Sequence, residues 1–214
     1  MFASREDAGL KLGRSLQDQE VRADLVLGLP RGGVVVAAAV AHILRLPLDV
    51  LIVRKIGHPR HREFAVGALA EHGVTVLDEG AIEANAVIRE ELEAVIQEEK
   101  DRLERYEARF HPRGAPALAG KAILLVDDGI ATGATTEAAV LSVRKQGAST
   151  IVVTAPVAST SAVQRLTRVA DEVRVLCVDP AFDAVGRYYD VFDQTTDEEV
   201  LELLRRGRGV RRET

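Results

Sequence analysis

Short apolar runs rich in Val, Leu and Ile recur along this chain, each followed by a segment of helical length. Residues 24–29 and 48–56 are two such runs, with the apolar stretch 34–46 between them. Pro30-Arg31-Gly32-Gly33 stops the first and Gly57-His58-Pro59 stops the second. Brief apolar runs bounded by turn residues read as strands buried on both faces. Strands alternating with helices favour a parallel sheet with helices on its faces. An opening helix is marked by Ser4 with Asp7 as an N-cap pair and by apolar Ala8, Leu12 and Leu16. The same rhythm returns later: strand 121–126, helix 133–146 ended by Gly147, strand 150–155, helix 161–170 with Ser161/Gln164 as its cap, and strand 173–178. Thr196 with Glu199 caps a last helix over 197–206. The pattern predicts an α/β fold built on a parallel sheet flanked by helices.

Between residues 57 and 120 the rhythm changes. Residues 64–69 and 74–77 are short β-like pieces about a turn at His72-Gly73. One long polar helix is expected over 80–110, with Ile88, Leu92, Val95, Leu103, Tyr106 and Phe110 as its buried stripe. The cluster His111-Pro112-Arg113-Gly114-Ala115-Pro116 then returns the chain to the sheet. The whole, 1–214, is expected to be a single domain, with 57–120 inserted as a flap and long helix that cover or flank the site. That amphipathic helix is also a candidate interface for a homodimer.

Composition narrows the class. The chain has 214 residues, enough for one ample domain. Its net charge of −5 gives no global argument for nucleic acid or an anionic membrane, so any basic site is local. The single cysteine, Cys177, excludes a disulfide framework and is expected to be a small buried hydrophobe. The first residues lack a signal-peptide apolar core, and no run is long enough to span a bilayer, so a cytoplasmic protein is expected. Five arginines in 205–214 read as a solvated terminus.

The most informative stretch is 122–136. An apolar strand ends in Asp127-Asp128, a loop of Gly, Ala and Thr follows, and a helix begins. Parallel sheets bind ligands at the carboxyl ends of their strands. A helix N-terminus with free N–H groups suits a phosphate. Adjacent acids suit sugar hydroxyls or a magnesium ion that keeps oxygen ligands. Together they point to a sugar phosphate carrying metal. A nucleotide-binding Rossmann unit is disfavoured, since Gly-x-Gly-x-x-Gly does not follow the first strand.

Val126-Asp127-Asp128-Gly129-Ile130-Ala131-Thr132-Gly133-Ala134-Thr135 resembles the motif that binds phosphoribosyl pyrophosphate (PRPP) in type I phosphoribosyltransferases. Leu29-Pro30-Arg31-Gly32-Gly33 sits where that family has its pyrophosphate loop. Val53-Arg54-Lys55 with Gly57 is similar to the basic strand end before its mobile loop, nearest the adenine-type branch. The resemblance implies a type I phosphoribosyltransferase fold and a Mg2+-dependent transferase of nucleotide salvage. Such an enzyme moves the phosphoribosyl group from PRPP to a nitrogen acceptor and releases pyrophosphate. It implies Asp127 and Asp128 on the ribose hydroxyls, where they also offset the positive charge that grows on the ring. Ala131, Thr132, Gly133, Ala134 and Thr135 would wrap the 5′-phosphate, and Arg31, Gly32, Gly33, Arg54 and Lys55 would face pyrophosphate. Mg2+ would arrive with the pyrophosphate, with Asp127 and Asp128 as its candidate protein ligands. The family often holds a non-proline cis bond in the pyrophosphate loop, here expected at Arg31-Gly32.

The acceptor is less legible. The 6-oxopurine branch carries an acid at the position of Ala131, and a methyl group cannot exchange a proton, which argues against those bases. Glu71 is a candidate loop acid or a plain turn residue. His58-Pro59-Arg60-His61-Arg62 reads as a flap over pyrophosphate, as a surface loop or, least favoured, as a metal pair. Phe182 and Tyr188, after the last strand, are candidates for stacking on a heterocycle or for packing the sheet end. A different class stays open: a PRPP-sensing regulatory protein of the same fold without catalysis. Neither an added domain nor a basic, aromatic-bearing face is seen for a nucleic-acid partner.

Overall fold

The structure is a computed structural model that describes residues 1–112 and 114–207, with the backbone alone at Glu63. The sheet strands are β1 (Leu25–Gly28), β2 (Leu48–Val50), β6 (Ala122–Val126), β7 (Thr150–Ser159) and β8 (Glu172–Asp179). They lie in the order β2-β1-β6-β7-β8, and every pairing is parallel. Side chains alternate between two cores, as the two-residue period of a strand requires. Val26, Leu124 and Val152 face one side, with helices α1 (Arg5–Asp18), α2 (Gly32–Leu44) and α7 (Asp197–Gly207). Leu25, Leu27, Ile123, Leu125, Ile151 and Val153 face the other, with α5 (Ala134–Lys145) and α6 (Thr160–Leu166). From β1 the chain turns through α2 towards β2; from β6 it turns through α5 towards β7. The β1–β6 boundary is therefore the point where the strand order reverses, and a crevice opens there.

The expected strand 48–56 is two strands in two sheets. Leu51 and Ile52 separate β2 from β3 (Val53–His58). The cause is Glu71: its buried carboxylate accepts the Ile52 N–H at 2.7 Å and draws the chain out of the parallel sheet. β3, β4 (His61–Ala70) and β5 (Val74–Leu77) then form a separate antiparallel sheet, the hood. Glu71 also lies 3.2 Å from the buried His111 ring, so it anchors the hood and is not a loop acid.

The expected helix 80–110 is broken. α3 (Glu79–Ala84) ends at Asn85, Ala86 takes a φ of +49°, and α4 (Arg89–Phe110) starts from Ile88. Asn bonds readily to nearby backbone, which favours helix ends over interiors. Ile88 is consequently exposed, outside the stripe. Leu92, Val95, Leu103 and Phe110 are buried in the chain's own core, so that stripe packs inside the chain. Phe110→Ala is expected to destabilise the fold by about 3–5 kcal/mol in a urea unfolding curve, because the ring is fully buried.

Two smaller departures concern β7 and β8. β7 runs four residues past the expected end: Pro156 falls beyond the last pair with β6, Val126–Thr154, and the pairing with β8 steps over it and continues to Ser159–Asp179. The cap of α6 is accordingly Ser159, whose hydroxyl accepts the Ala162 N–H at 3.0 Å; Ser161 lies inside the helix. Cys177 is exposed, contrary to expectation, since β8 is an edge strand left largely uncovered. Thr196 and Glu199 do cap α7 reciprocally. The arginine-rich tail lies outside the described residues from 208 onward. Among the described residues, no helix is long and apolar enough to cross a membrane.

Candidate active site

The loops that follow β1 and β6 meet at the switch point. Leu29 N–H donates to Val126 C=O at 2.9 Å, which sets the two strand ends side by side. Gly32 and Gly33 then lie on the acid pair. A Cβ at Gly33 would sit 3.0 Å from both Cα and Oδ1 of Asp127, and one at Gly32 would overlap Asp128 Oδ2. Only glycine permits this approach. The loop contains a non-proline cis bond, one residue earlier than expected, at Pro30-Arg31.

The two acids have different surroundings. Asp127 lines a cavity of about 410 Å³, together with Lys55, Phe64, Ala65, Gly67 and residues 129–136. Loss of water around its carboxyl, followed by the neighbouring charge of Asp128, pushes it well above the usual carboxylate range; the Asp128 N–H at 2.9 Å and Arg5 pull the other way. Asp128 instead turns to Arg5, whose Nε donates to Oδ2 at 2.7 Å. The Asp128 carbonyl accepts the Tyr189 hydroxyl, and desolvation with the nearby Asp128 charge raises that phenol. Arg5 belongs to no motif and no signal in the sequence marks it for the site; Tyr189 lies in the aromatic stretch after the last strand, beside the candidate Tyr188.

Residues 131–135 form the opening of α5. Gly133 takes a φ of +77°, a left-handed geometry suited to glycine, and the first-turn N–H groups of any helix lack intrahelical acceptors. The loop carbonyls are occupied from outside: Ser159 Oγ donates to Ala131 C=O at 2.6 Å and Arg165 to Thr132 C=O at 3.2 Å. With those carbonyls engaged and a helix N-terminus at the cavity, the loop has the build that suits an anion. Ala131, Thr132, Gly133, Ala134 and Thr135 all line it.

The basic candidates separate. Lys55 lines the cavity, while Arg54, one residue earlier on the alternating strand, faces α4 and pairs with the buried Glu99 at 2.9 Å. Arg31 lies beside Asp197 of α7 at 3.6 Å, and Asp197 also pairs with Arg109 at 3.0 Å. The stretch 58–62 is the end of the β3–β4 hairpin, with a two-residue turn at Pro59-Arg60. It is tied to α4 by exposed pairs Arg60–Glu91 and Arg62–Glu98, both 2.8 Å. Such pairs contribute about 0–1 kcal/mol each, so these two alone add little to holding the hairpin tip. His58 accepts the Arg60 N–H at its Nδ1, and among the described residues no group of three or more His, Cys, Asp or Glu is placed to hold a metal.

Phe182 and Tyr188 do not line the cavity. Their rings stack on each other with centroids 5.3 Å apart, and the Tyr188 hydroxyl donates to Asp179 at 2.6 Å, which pushes that phenol up to about 12. Their segment reaches the site through Val185, packed against Gly129. The aromatic residue that does line the cavity is Phe64 of the hood, 46% exposed. Its only sequence signal is an apolar residue in a β-like piece.

An acid pair and a glycine-bearing helix start at the switch point of a parallel sheet, covered by a hood, define an α/β protein with the type I phosphoribosyltransferase fold. Residues 6–190 match the phosphoribosyl transferase domain, and the chain belongs to that family. A Mycobacterium tuberculosis protein (strain ATCC 25618 / H37Rv) whose name places it among the phosphoribosyl transferases is 42% identical over 208 residues, covering 97% of this chain and 47% of that protein. The chain thus spans about half the length of the curated relatives it matches. The crystal structure of TT1426 from Thermus thermophilus is similar at a TM-score of 0.78 and 44% identity, covering 97% of this chain and 99% of that one. The AQ2163 protein from Aquifex aeolicus, at 13% identity and a TM-score of 0.51 over 85% of this chain and 78% of that one, shares the fold.

Proposed function

We propose that the chain is a phosphoribosyltransferase domain, 57–120 forming its inserted hood and helices, that transfers the 5-phosphoribosyl group of PRPP to a nitrogen acceptor. The observation that carries this reading is one cavity shared by Asp127, Lys55 and the whole 131–135 nest. The 5′-phosphate occupies the nest, the ribose lies over Asp127 and Asp128, and the pyrophosphate points to Gly32, Gly33 and Lys55. Arg31 completes that end by leaving Asp197; Arg54 stays on Glu99. The acceptor nitrogen forms its bond to the anomeric carbon as the bond to pyrophosphate oxygen breaks. Asp127 and Asp128 offset the positive charge on the ribose while this happens.

Magnesium fits this donor set. An ion that retains waters and arrives on pyrophosphate needs only one or two protein carboxylates. Asp127 faces the cavity, and Asp128 has one oxygen engaged by Arg5. The ion would neutralise the leaving pyrophosphate.

The acceptor is a flat nitrogen base other than a 6-oxopurine, in keeping with Ala131 and with a cytoplasmic salvage role. Phe64 is the surface on which it stacks; Phe182 and Tyr188 stay in their own packing. Stacking of this kind contributes about 1 kcal/mol, so Phe64→Ala should raise KM for the acceptor about fivefold with little change in kcat. An unchanged KM would move the acceptor elsewhere.

The test is pyrophosphate release from PRPP and Mg2+ across a panel of nitrogen bases. Release is expected with an adenine-type or pyrimidine-type base and not with hypoxanthine, guanine or xanthine. PRPP binding without release for any base would instead make the chain a PRPP sensor.

A further inference from the structure

We propose that Arg5, at the start of α1 and outside every donor-loop motif, is a positioning residue for the donor site: it holds the Asp128 carboxylate and, through it, the Gly32-Gly33 loop. The inference rests on the reading of 126–135 as the place where PRPP binds.

Three fixings determine where the guanidinium lies. Nε donates to Asp128 Oδ2 at 2.7 Å, a terminal nitrogen donates to the Asp193 carbonyl at 2.7 Å, and the ring of Phe192 covers the guanidinium carbon with its centroid 3.7 Å away. The Arg5 and Asp128 side chains are only 12% and 16% exposed. Two directed bonds and a ring contact together orient the planar guanidinium. It engages one carboxylate oxygen of Asp128, and a ribose hydroxyl needs only the other.

The same pair is the surface on which the pyrophosphate loop rests. A Cβ at Gly32 would fall 2.6 Å from Arg5 Nε and would overlap Asp128 Oδ2 as well. The loop's approach thus depends on where Arg5 places that oxygen. Arg5 comes from the first helix, and Phe192 and Asp193 precede the last, so both flanks of the described chain converge on one acid of the donor site. Without its partner, a poorly solvated Asp128 would turn towards water or towards the cavity and carry the loop with it.

The alternative is that Arg5 only staples α1 to the sheet. A double-mutant cycle separates the two, using PRPP with Mg2+ as the calorimetric probe and wild type, Arg5→Ala, Asp128→Asn and the double variant as proteins. Losing a charge-assisted bond at a binding site costs about tenfold in affinity, so Arg5→Ala is expected to weaken PRPP binding by at least that much. In the Asp128→Asn background, removing Arg5 should change affinity less than about twofold, because the partner it acts through is already neutral. Arg5→Lys should restore part of the loss. Should Arg5→Ala fail to fold, Arg5→Gln is read in its place. Equal losses in both backgrounds, or wild-type affinity in Arg5→Ala, would overturn the inference while leaving the donor site intact. Absence of PRPP binding by wild type would overturn the donor site and this inference with it.

Discussion

Asp127→Asn is expected to reduce pyrophosphate release by about a hundredfold to a thousandfold, the scale for losing one group that stabilises developing transition-state charge. Its melting temperature should hold or rise. The carboxyl is poorly hydrated and next to Asp128, and both effects favour its neutral form. Asparagine is close in shape to that neutral form and cannot take on the poorly solvated charge, which the fold does not require. The substitution therefore separates function from stability. Full turnover in a folded Asp127→Asn protein, and more so in the Asp127→Asn/Asp128→Asn double variant, would sink the mechanism.

The second large effect concerns the other loop. Gly32→Ala should abolish measurable PRPP binding and lower the melting temperature. The added methyl would overlap Asp128 Oδ2 and Arg5 Nε, and neither can retreat easily while Phe192 and Asp193 hold the guanidinium. Overpacking of this kind costs about 1–3 kcal/mol, which for a chain of this length is a drop of roughly 2–12 °C. Gly80→Ala is the control: its Cβ would meet nothing nearer than Asp78 Oδ1 at 3.6 Å, inside α3, and it should leave melting and binding unchanged. Equal behaviour of the two variants would mean that the Gly32 contact does not shape the loop.

The parallel sheet is readable because its signals are local. Strands such as Leu25–Gly28 and Ala122–Val126 are buried on both faces, and turn residues end them at the positions where loops begin. The 131–135 nest is equally local, since a left-handed Gly133 and a helix start are written in adjacent residues. What escapes depends on partners far along the chain. Nothing within 48–56 says that Glu71, nineteen residues after Ile52, will capture an N–H and divide the strand. The break after Ala84 competes with a helical pattern that continues on both sides. Arg54 and Lys55 look alike in sequence, but strand alternation sends one to Glu99 and the other to the cavity. Arg5 is 123 residues from Asp128, and a lone arginine in an opening helix has no pattern to mark it. Phe182 and Tyr188 satisfy each other, while Phe64 reaches the cavity from a hood whose placement no periodicity encodes.

The central claim is that the donor lies across the two strand-end loops, and a crystal structure with PRPP and Mg2+ tests it most directly. The 5′-phosphate should lie on the N–H groups of residues 131–135, the ribose over Asp127 and the pyrophosphate between Gly32-Gly33 and Lys55. Donor found elsewhere, for example in the cavity lined by Glu6, Val35, Glu199 and Leu203, with the 131–135 nest holding no phosphate, would contradict the account.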